Sequence, residues 1–293
     1  MNLVVGATGY LGIEACRQLA LQGAPLRAMA RATSDVAKVA TLREYGATLV
    51  CGDLKDKDSL DAACSGVRTV ITTASTTLSA QPGDTIDTVD RDGQIRLVDS
   101  AVASGVERFI YVSYSRNIDV DCPLVRAKRA VERRLQESGL SYTILRPSYF
   151  MEIWLSPALG FDYAERKARI YGDGGNPISF VSLIDVARFA VESLSNPAFV
   201  NAVAEIGGPE ALAPLDVVRI FEEIGASPFA IDRLPAHAIK ARYDTATDPL
   251  DISFAALMFA YARGDRIPMD VILRRAPMTL TSVRDYAIRV MRS

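Results

Sequence analysis

The sequence is poor in the residues that bind metals or build disulfide frameworks. It contains a single histidine, His237, and four cysteines that form no C-x-x-C pair. Zinc sites need Cys or His ligands at recognisable spacing, so no metal site is predicted. A secreted fold held together by disulfides is also disfavoured. We expect the cysteines to be small buried or half-buried residues, at Cys16, Cys51, Cys64 and Cys122.

The sequence also lacks long apolar runs and an excess of charge of either sign. No run of about 18 apolar residues occurs, so no membrane span is predicted. The 33 Lys and Arg residues against 35 Asp and Glu give a formal net charge of −2. That balance offers no basic surplus for a nucleic-acid partner. The first strand is expected at Asn2 or Leu3, which leaves no room for a secretory signal, so a cytoplasmic location is expected.

The first half of the chain alternates strand-like and helix-like segments. Short apolar runs predict strands at 3–5, 26–30, 48–50, 67–73, 109–113 and 142–145. Helical spacing predicts helices at 10–22, 35–45, 59–63, 88–104 and 124–138. Strands interleaved with helices require parallel crossovers, so the predicted fold class is α/β, a doubly wound parallel sheet with helices on both faces.

The pattern changes after residue 147. Strand-like segments are predicted at 178–181 and 202–206, and helices at 183–194, 214–224, 249–262 and 280–291. We therefore expect residues 1–147, with about 176–206, to form the sheet domain. Residues 148–175 and 207–293 are expected to form a smaller, mainly helical C-terminal substrate cap.

A glycine-rich turn follows the first predicted strand and begins the first helix. Three glycines there let the chain turn sharply and bring backbone N–H groups and a helix N-terminus close to a pyrophosphate. This context predicts a Rossmann-type dinucleotide site, and a tight turn without a ligand is the alternative. The residues expected to bind the cofactor are Gly6, Thr8, Gly9, Tyr10, Leu11 and Gly12.

The end of the second strand indicates which dinucleotide binds. An NAD site normally places Asp or Glu there to accept hydrogen bonds from the ribose 2′-OH. This chain has Arg31 instead, which suits a 2′-phosphate, with Ser34 and Lys38 able to assist. NADP(H) is therefore favoured over NAD(H), and a solvated surface arginine is the alternative. Asp35 is expected to be a helix N-cap.

The spacing G-x-x-G-x-x-G, with Ala-Thr inside it, resembles the short-chain dehydrogenase/reductase superfamily, specifically its extended and atypical branches. The resemblance implies that Asp53, after the third strand, binds the adenine amino group, with the backbone N–H of Leu54 close by. A plain turn Asp is the alternative. Small residues after the fourth strand would lie against the adenosine ribose, or simply end the strand, and these are Thr73, Ala74 and Ser75.

The predicted catalytic positions depart from the usual superfamily pattern of Ser with Y-x-x-x-K. Ser113 matches the serine and Lys128 matches the lysine that holds the nicotinamide ribose, although Lys128 could also be a helix-surface residue. The residue four before Lys128 is Leu124, so the usual acid/base tyrosine is missing. A lysine without that tyrosine, followed by segments 145–152 and 172–187, resembles the NmrA-like group of atypical reductases.

The resemblance leaves two classes of function open. The first is an NADPH-dependent reductase that passes hydride to a small apolar acceptor, such as a quinone, an enone or an aromatic compound. The second is a non-catalytic NADP(H)-binding redox sensor, or a regulatory or structural subunit. Tyr149 is a candidate acid or an aromatic wall at the cofactor together with Phe150, and Phe150, Met151 and Trp154 are expected to line an apolar substrate pocket. A homodimer is a further expectation, because short-chain reductases often pair.

Overall fold

The computed structural model describes residues 1–77 and 80–292. The strands in this part of the chain are β1 (Asn2–Val5), β2 (Leu26–Ala30), β3 (Thr48–Cys51), β4 (Thr69–Thr72), β5 (Arg108–Val112), β6 (Ser141–Pro147), β7 (Phe161–Asp162), β8 (Lys167–Tyr171), β9 (Ala202–Ile206) and β10 (Ala230–Leu234).

The α-helices alternate with these strands in the first half of the chain and dominate the last third. They are α1 (Tyr10–Leu21), α2 (Val36–Glu44), α3 (Lys57–Cys64), α4 (Asp92–Ala103), α5 (Pro123–Gln136), α6 (Met151–Trp154), α7 (Leu183–Glu192), α8 (Pro214–Gly225), α9 (Ala236–Thr245), α10 (Pro249–Arg263), α11 (Asp270–Arg275) and α12 (Val283–Arg292). A π-helix spans Ile86–Arg91, and short 3-10 helices span Pro157–Leu159 and Pro197–Phe199.

The main sheet has the strand order β3-β2-β1-β4-β5-β6-β9 within the described residues. Neighbouring strands from β3 to β6 pair in parallel. The order reverses between β1 and β4, which is the topology of a doubly wound sheet. Every residue of β5 is buried, as expected for a central strand covered on both faces. The predicted α/β fold class is confirmed.

The chain divides into two compact units, of which unit 1 comprises Met1–Ser113, Arg126–Leu145 and Val186–Ala204. A hydrophobic core cluster in this unit joins strand side chains such as Phe109 to residues of α3, α4 and α5, such as Leu97. Burial of one large apolar side chain of this kind contributes about 2 kcal/mol. The apolar runs from which the strands were predicted therefore form this core.

Unit 2 comprises Tyr114–Val125, Arg146–Asp185 and Glu205–Ser293. It contains α8 to α12 and also a three-stranded sheet in the order β10-β8-β7, which the sequence did not predict. The strand β7 has only two residues, and β10 is exposed at four of its five positions, so neither shows an apolar alternation.

Two predicted elements differ from the structure. The strand predicted at 178–181 is wrong, because Ile178 and Val181 make isolated bridges to different segments and no continuous ladder forms. The helix predicted at 88–104 begins as the π-helix and continues as α4. Thr85 caps the π-helix, where its Oγ accepts a hydrogen bond from the Thr88 N–H at 3.0 Å. π-Helical turns often occur at functional sites.

The cysteines follow the predicted burial except at the edge of the sheet. Cys16, Cys64 and Cys122 are buried, whereas Cys51 ends the edge strand β3 and is exposed. Among the described residues, no three His, Cys, Asp or Glu side chains are placed to hold a metal ion. In the same part of the chain, no helix combines the length and apolar character needed to cross a membrane.

Candidate cofactor-binding site

The glycine turn lies between β1 and α1 and packs against the end of β4. Gly6 has a φ of +79°, and a Cβ there would lie 2.6 Å from the Ala74 nitrogen and 2.9 Å from Thr73 Oγ1. The turn is closed by the Gly9 N–H, which donates to the Gly6 carbonyl at 2.9 Å. A side chain at residue 6 is thus excluded both by its backbone conformation and by its neighbours.

The start of α1 is pressed equally closely against the turn. A Cβ on Gly12 would lie 2.1 Å from the Gly6 carbonyl oxygen. No side chain among the described residues caps the helix, whose N-cap is Gly9. Thr8 is half-buried beside this N-cap, Tyr10 is exposed and Leu11 is buried. The first N–H groups of α1 therefore lie beside a backbone turn that has no capping side chain. Anion sites at helix N-termini are built in this way.

Arg31 follows β2, as predicted, but its side chain is paired with a carboxylate. Its Nη1 lies 2.6 Å from Asp84 Oδ2, and the ammonium of Lys55 contacts Asp84 Oδ1. The Arg31 and Lys55 side chains are 27% and 30% exposed, whereas that of Asp84 is 2% exposed. Ser34 Oγ accepts a hydrogen bond from the Arg31 N–H at 3.0 Å. Arg31 is therefore a partly exposed arginine in an ion pair, and its role toward a 2′-phosphate stays a prediction.

The charges around Asp84 favour its ionised form. Burial alone would raise the pKa of Asp84, but hydrogen bonds from Lys55, Arg31 and the Gln81 N–H lower that pKa below its usual value. Asp53 lies on the other side of Lys55, with its Oδ2 3.6 Å from the ammonium. Asp53 Oδ1 also accepts the Lys55 N–H at 2.8 Å. The end of β2 therefore holds two cations and two carboxylates.

The residues predicted to lie along the adenosine are in unit 1 as well. Leu54 is buried, and a Cβ on Gly93 of α4 would lie 2.8 Å from Leu54 Cβ. The Thr73 N–H donates to the Val5 carbonyl at 3.0 Å, and Gln94 Nε2 donates to the Ala74 carbonyl at 2.9 Å. Ser75 Oγ lies 3.1 Å from Thr77 Oγ1. Packing and hydrogen bonds fix the segment after β4 beside the glycine turn.

Lys128 is inside the protein and not on a helix surface. Its side chain is 4% exposed, and its Nζ donates to the Val112 carbonyl at 3.3 Å and lies 5.2 Å from the centroid of the Tyr111 ring. Burial lowers the pKa of Lys128, and the charges of Asp90 and Glu132 partly oppose this. A buried ammonium at the end of a central strand is unusual in a purely structural role.

Asp90 is a buried acid that the sequence did not single out. It lies in the π-helix, and its Oδ2 accepts the N–H and the Oγ1–H of Thr76 at 3.1 and 2.6 Å. Its Oδ1 has no hydrogen-bond partner among the residues that the structure describes. No spacing rule could have found Asp90, because a π-helical turn leaves no mark in the apolar pattern.

Ser113 lies directly after β5, as the resemblance implied. Its N–H donates to the Leu145 carbonyl at 2.8 Å, and its Oγ accepts a hydrogen bond from Arg129 Nη1 at 3.3 Å. Arg129 also pairs with the buried Glu132 at 2.6 Å. Ser113 and Lys128 both lie at the end of β5, and both belong to unit 1.

Tyr149 belongs to unit 2, where its hydroxyl is held by the backbone. The side chain is 3% exposed, and its hydroxyl donates to the Leu257 carbonyl at 3.2 Å. Its ring makes edge contacts with Trp154 and Tyr261 at centroid distances of 4.7 and 5.1 Å. Burial raises the pKa of Tyr149 well above its usual value, so the ionised form is strongly disfavoured. These contacts weaken the prediction that Tyr149 donates a proton, and they suit an aromatic packing role.

The neighbours of Tyr149 were predicted to line a cofactor or substrate. Phe150 is half-buried and bridges to Val181, and Met151 is fully buried. Trp154 stacks on Tyr261 at a centroid distance of 4.8 Å. Their roles toward a ligand stay predictions. His237 is exposed on α9.

The doubly wound sheet and the glycine turn define a Rossmann-type α/β protein. The chain belongs to the NmrA-like family, whose family model matches residues 2–282. The resemblance inferred from the sequence is confirmed.

Known proteins similar to the chain differ in function. It is 31% identical over 234 residues to the photosystem II assembly factor Ycf39 of Cyanophora paradoxa, covering 80% of this chain and 71% of that protein. It is 29% identical over 280 residues to the isoflavone reductase homolog IRL of Zea mays, covering 92% and 88%. The NADPH-dependent quinone oxidoreductase QOR2 of Escherichia coli, solved with NADPH bound, matches with a TM-score of 0.80 at 20% identity, covering 99% of this chain and 100% of that one. At that identity the structural likeness shows a shared fold.

Proposed function

We propose that the chain is an NADPH-dependent reductase that transfers hydride to a small apolar acceptor, such as a quinone, an enone or an aromatic compound. The observation that carries the dinucleotide binding in this proposal is the glycine turn, where Gly6 and Gly12 leave no room for a Cβ and α1 begins without a capping side chain. The residues present fit a dinucleotide, because a diphosphate needs this close approach to backbone amides.

The residues of unit 1 supply the remaining cofactor contacts in this proposal. Arg31 would bind the 2′-phosphate that distinguishes NADPH from NADH, and Asp53 would bind the adenine. The segment Thr73–Ser75 would lie along the ribose of the adenosine half. The E. coli quinone oxidoreductase that shares the fold was solved with NADPH, which supports the same choice of cofactor.

Bound NADPH supplies a hydride, and the chain supplies position and charge. In the proposal, the Lys128 ammonium holds the hydroxyl groups of the nicotinamide ribose, and Ser113 orients the acceptor oxygen. The position of the usual acid is occupied by Leu124, which has no proton to donate. A quinone or another electron-poor acceptor fits this site, because it takes up hydride with little need for a protein acid. Tyr149 is left out of the proposed catalytic residues.

One observation favours a second candidate function. The relative that is 31% identical is named as a photosystem II assembly factor and not as an enzyme. The chain could accordingly bind NADP(H) as a non-catalytic regulator or structural subunit, with the same glycine turn and the same Arg31. Both candidate functions require binding of NADP(H), and only the reductase turns over an acceptor.

The test mixes the purified protein with NADPH and a panel of quinones and follows the loss of NADPH absorbance. We expect steady turnover with at least one quinone and a loss of about a hundredfold in kcat for Lys128→Met. The matched control is Lys57→Met, which removes an exposed lysine of α3 that pairs with Asp61, and it should retain full activity.

The outcome separates the candidates. Tight binding of NADPH and NADP⁺ without turnover of any quinone would favour the regulator. Failure of the protein to bind either dinucleotide in a calorimetric titration would refute both, because both require the glycine turn to bind a diphosphate.

A further inference from the structure

The Asp84 carboxylate is paired with Arg31, the residue predicted to bind the 2′-phosphate of NADPH. Arg31 comes directly after β2, the place at which dinucleotide folds meet the adenosine ribose. Its guanidinium already binds a carboxylate oxygen, Asp84 Oδ2 at 2.6 Å, which is an anionic acceptor like the oxygens of a phosphate. A carboxylate and a phosphate compete for the same N–H donors.

The segment that carries Asp84 is anchored on the turn after β2. The Thr33 Oγ1–H donates to Gln81 Oε1 at 2.5 Å, and the Gln81 N–H donates to Asp84 Oδ2 at 2.9 Å. Asp84 is therefore presented to Arg31 by a fixed local structure and does not reach it as a freely rotating surface side chain.

Lys55 gives Asp84 a second cation. Because Lys55 contacts the other carboxylate oxygen, Arg31 can leave Asp84 without stranding a buried charge. Two cations, Arg31 and Lys55, thus share one carboxylate. A 2′-phosphate could bind Arg31 while Asp84 remains paired with Lys55.

We propose that Asp84 is a specificity-determining residue that competes with the 2′-phosphate of NADPH for Arg31 and stays paired with Lys55 when the phosphate binds. This inference rests on the proposed function, since it requires that the site binds the dinucleotide. It predicts that the chain discriminates between NADPH and NADH less strongly than Arg31 alone would allow.

The test measures the dissociation constants of NADPH and NADH by their fluorescence at fixed ionic strength. Asp84→Asn removes the competing charge and keeps the shape, so NADPH should bind about tenfold more tightly. NADH, which lacks the phosphate, should change by less than about twofold. The matched control is Asp99→Asn, which makes the same charge change in another Asp–Arg pair of unit 1, with Arg134, and should leave both constants unchanged.

A double-mutant cycle checks that the effect passes through Arg31. In an Arg31→Ala background, Asp84→Asn should no longer tighten NADPH binding, because the competed group is gone. An unchanged or weakened affinity of Asp84→Asn for NADPH would overturn the inference while leaving the proposed function intact. A wild-type protein that binds neither dinucleotide would refute the proposed function, and the inference would fall with it.

Lys55 provides a second variant, in which the altered side chain is itself partly exposed. Lys55→Met leaves Asp84 with Arg31 as its partner, so NADPH should bind several-fold more weakly and NADH should not change. In an Asp84→Asn background this loss should disappear. A loss that persists there would mean that Lys55 contacts the phosphate itself, and would overturn the inference that Lys55 retains Asp84 when Arg31 binds the phosphate.

Discussion

Replacement of Gly12 by alanine should have two opposite effects on the stability of the protein. Alanine is the better helix former, so propensity alone would stabilise α1 by about 1 kcal/mol. The added Cβ, however, would lie 2.1 Å from the Gly6 carbonyl oxygen, far inside the 3.4 Å at which ordinary contact begins. That oxygen belongs to backbone, which cannot rotate away as a flexible side chain would.

The crowding should outweigh the gain in propensity. Overpacking in a tight region costs up to about 3 kcal/mol, so we expect a net loss of about 2 kcal/mol in the free energy of unfolding. For a chain of this size the melting temperature should fall by about 3 °C. Binding of NADPH should weaken by at least about tenfold, because α1 must move away from the turn that its amides complete.

The assay is thermal unfolding followed by circular dichroism, with calorimetric titration of NADPH. Gly23→Ala serves as the comparison, because Gly23 has a φ of +63° but no other described residue within 4 Å of the new Cβ. It should cost about 1 kcal/mol through its backbone alone and leave NADPH binding unchanged. A Gly12→Ala protein that melts higher than the wild type would refute the close approach of α1 to the turn.

Three further substitutions test separate features. Asp35→Ala removes the cap that accepts the Lys38 N–H at 3.0 Å and should lower the free energy of unfolding by about 1 kcal/mol in urea, whereas Asp35→Asn should not. Burial lowers the pKa of Lys128, so between that pKa and the usual 10.5 the unfolded chain binds more protons than the folded chain. As the pH rises toward 10.5, the melting temperature of the wild type should therefore increase relative to that of Lys128→Met. A difference in melting temperature that does not change with pH would contradict this. Tyr149→Phe removes the hydrogen bond to the Leu257 carbonyl and should lower the free energy of unfolding by about 1 kcal/mol. Turnover of the quinone should be unchanged. A hundredfold fall in kcat would mean that Tyr149 is the proton donor after all.

The fold and the glycine turn were predictable because their signals are local. Each of the strands β1 to β5 comes from a short apolar run, and each of these runs is followed by a helical repeat. The cap at Asp35 was correct for the same reason, since an N-cap and the amide it accepts are three residues apart. Gly6 and Gly12 lie six positions apart, so the sequence itself shows the turn that they build.

The rest of the candidate site depends on contacts between distant segments. Arg31 and Asp84 are separated by 53 positions, and no periodicity links them. Asp90 gains its environment from a π-helical turn, which the apolar pattern of the sequence does not reveal. Strands β7 and β10 are too short or too exposed to give an apolar alternation, so the second sheet was missed as well.

The lone tryptophan of this chain makes unit 2 optically distinct. Trp154 is stacked on Tyr261, and the edges of the Tyr149 and Tyr171 rings meet it, all within unit 2. Indole emission therefore follows the melting of that unit, while the far-ultraviolet signal averages over both. If the two curves recorded on one sample separate, the units unfold as independent cooperative bodies; if they coincide, the chain unfolds as one.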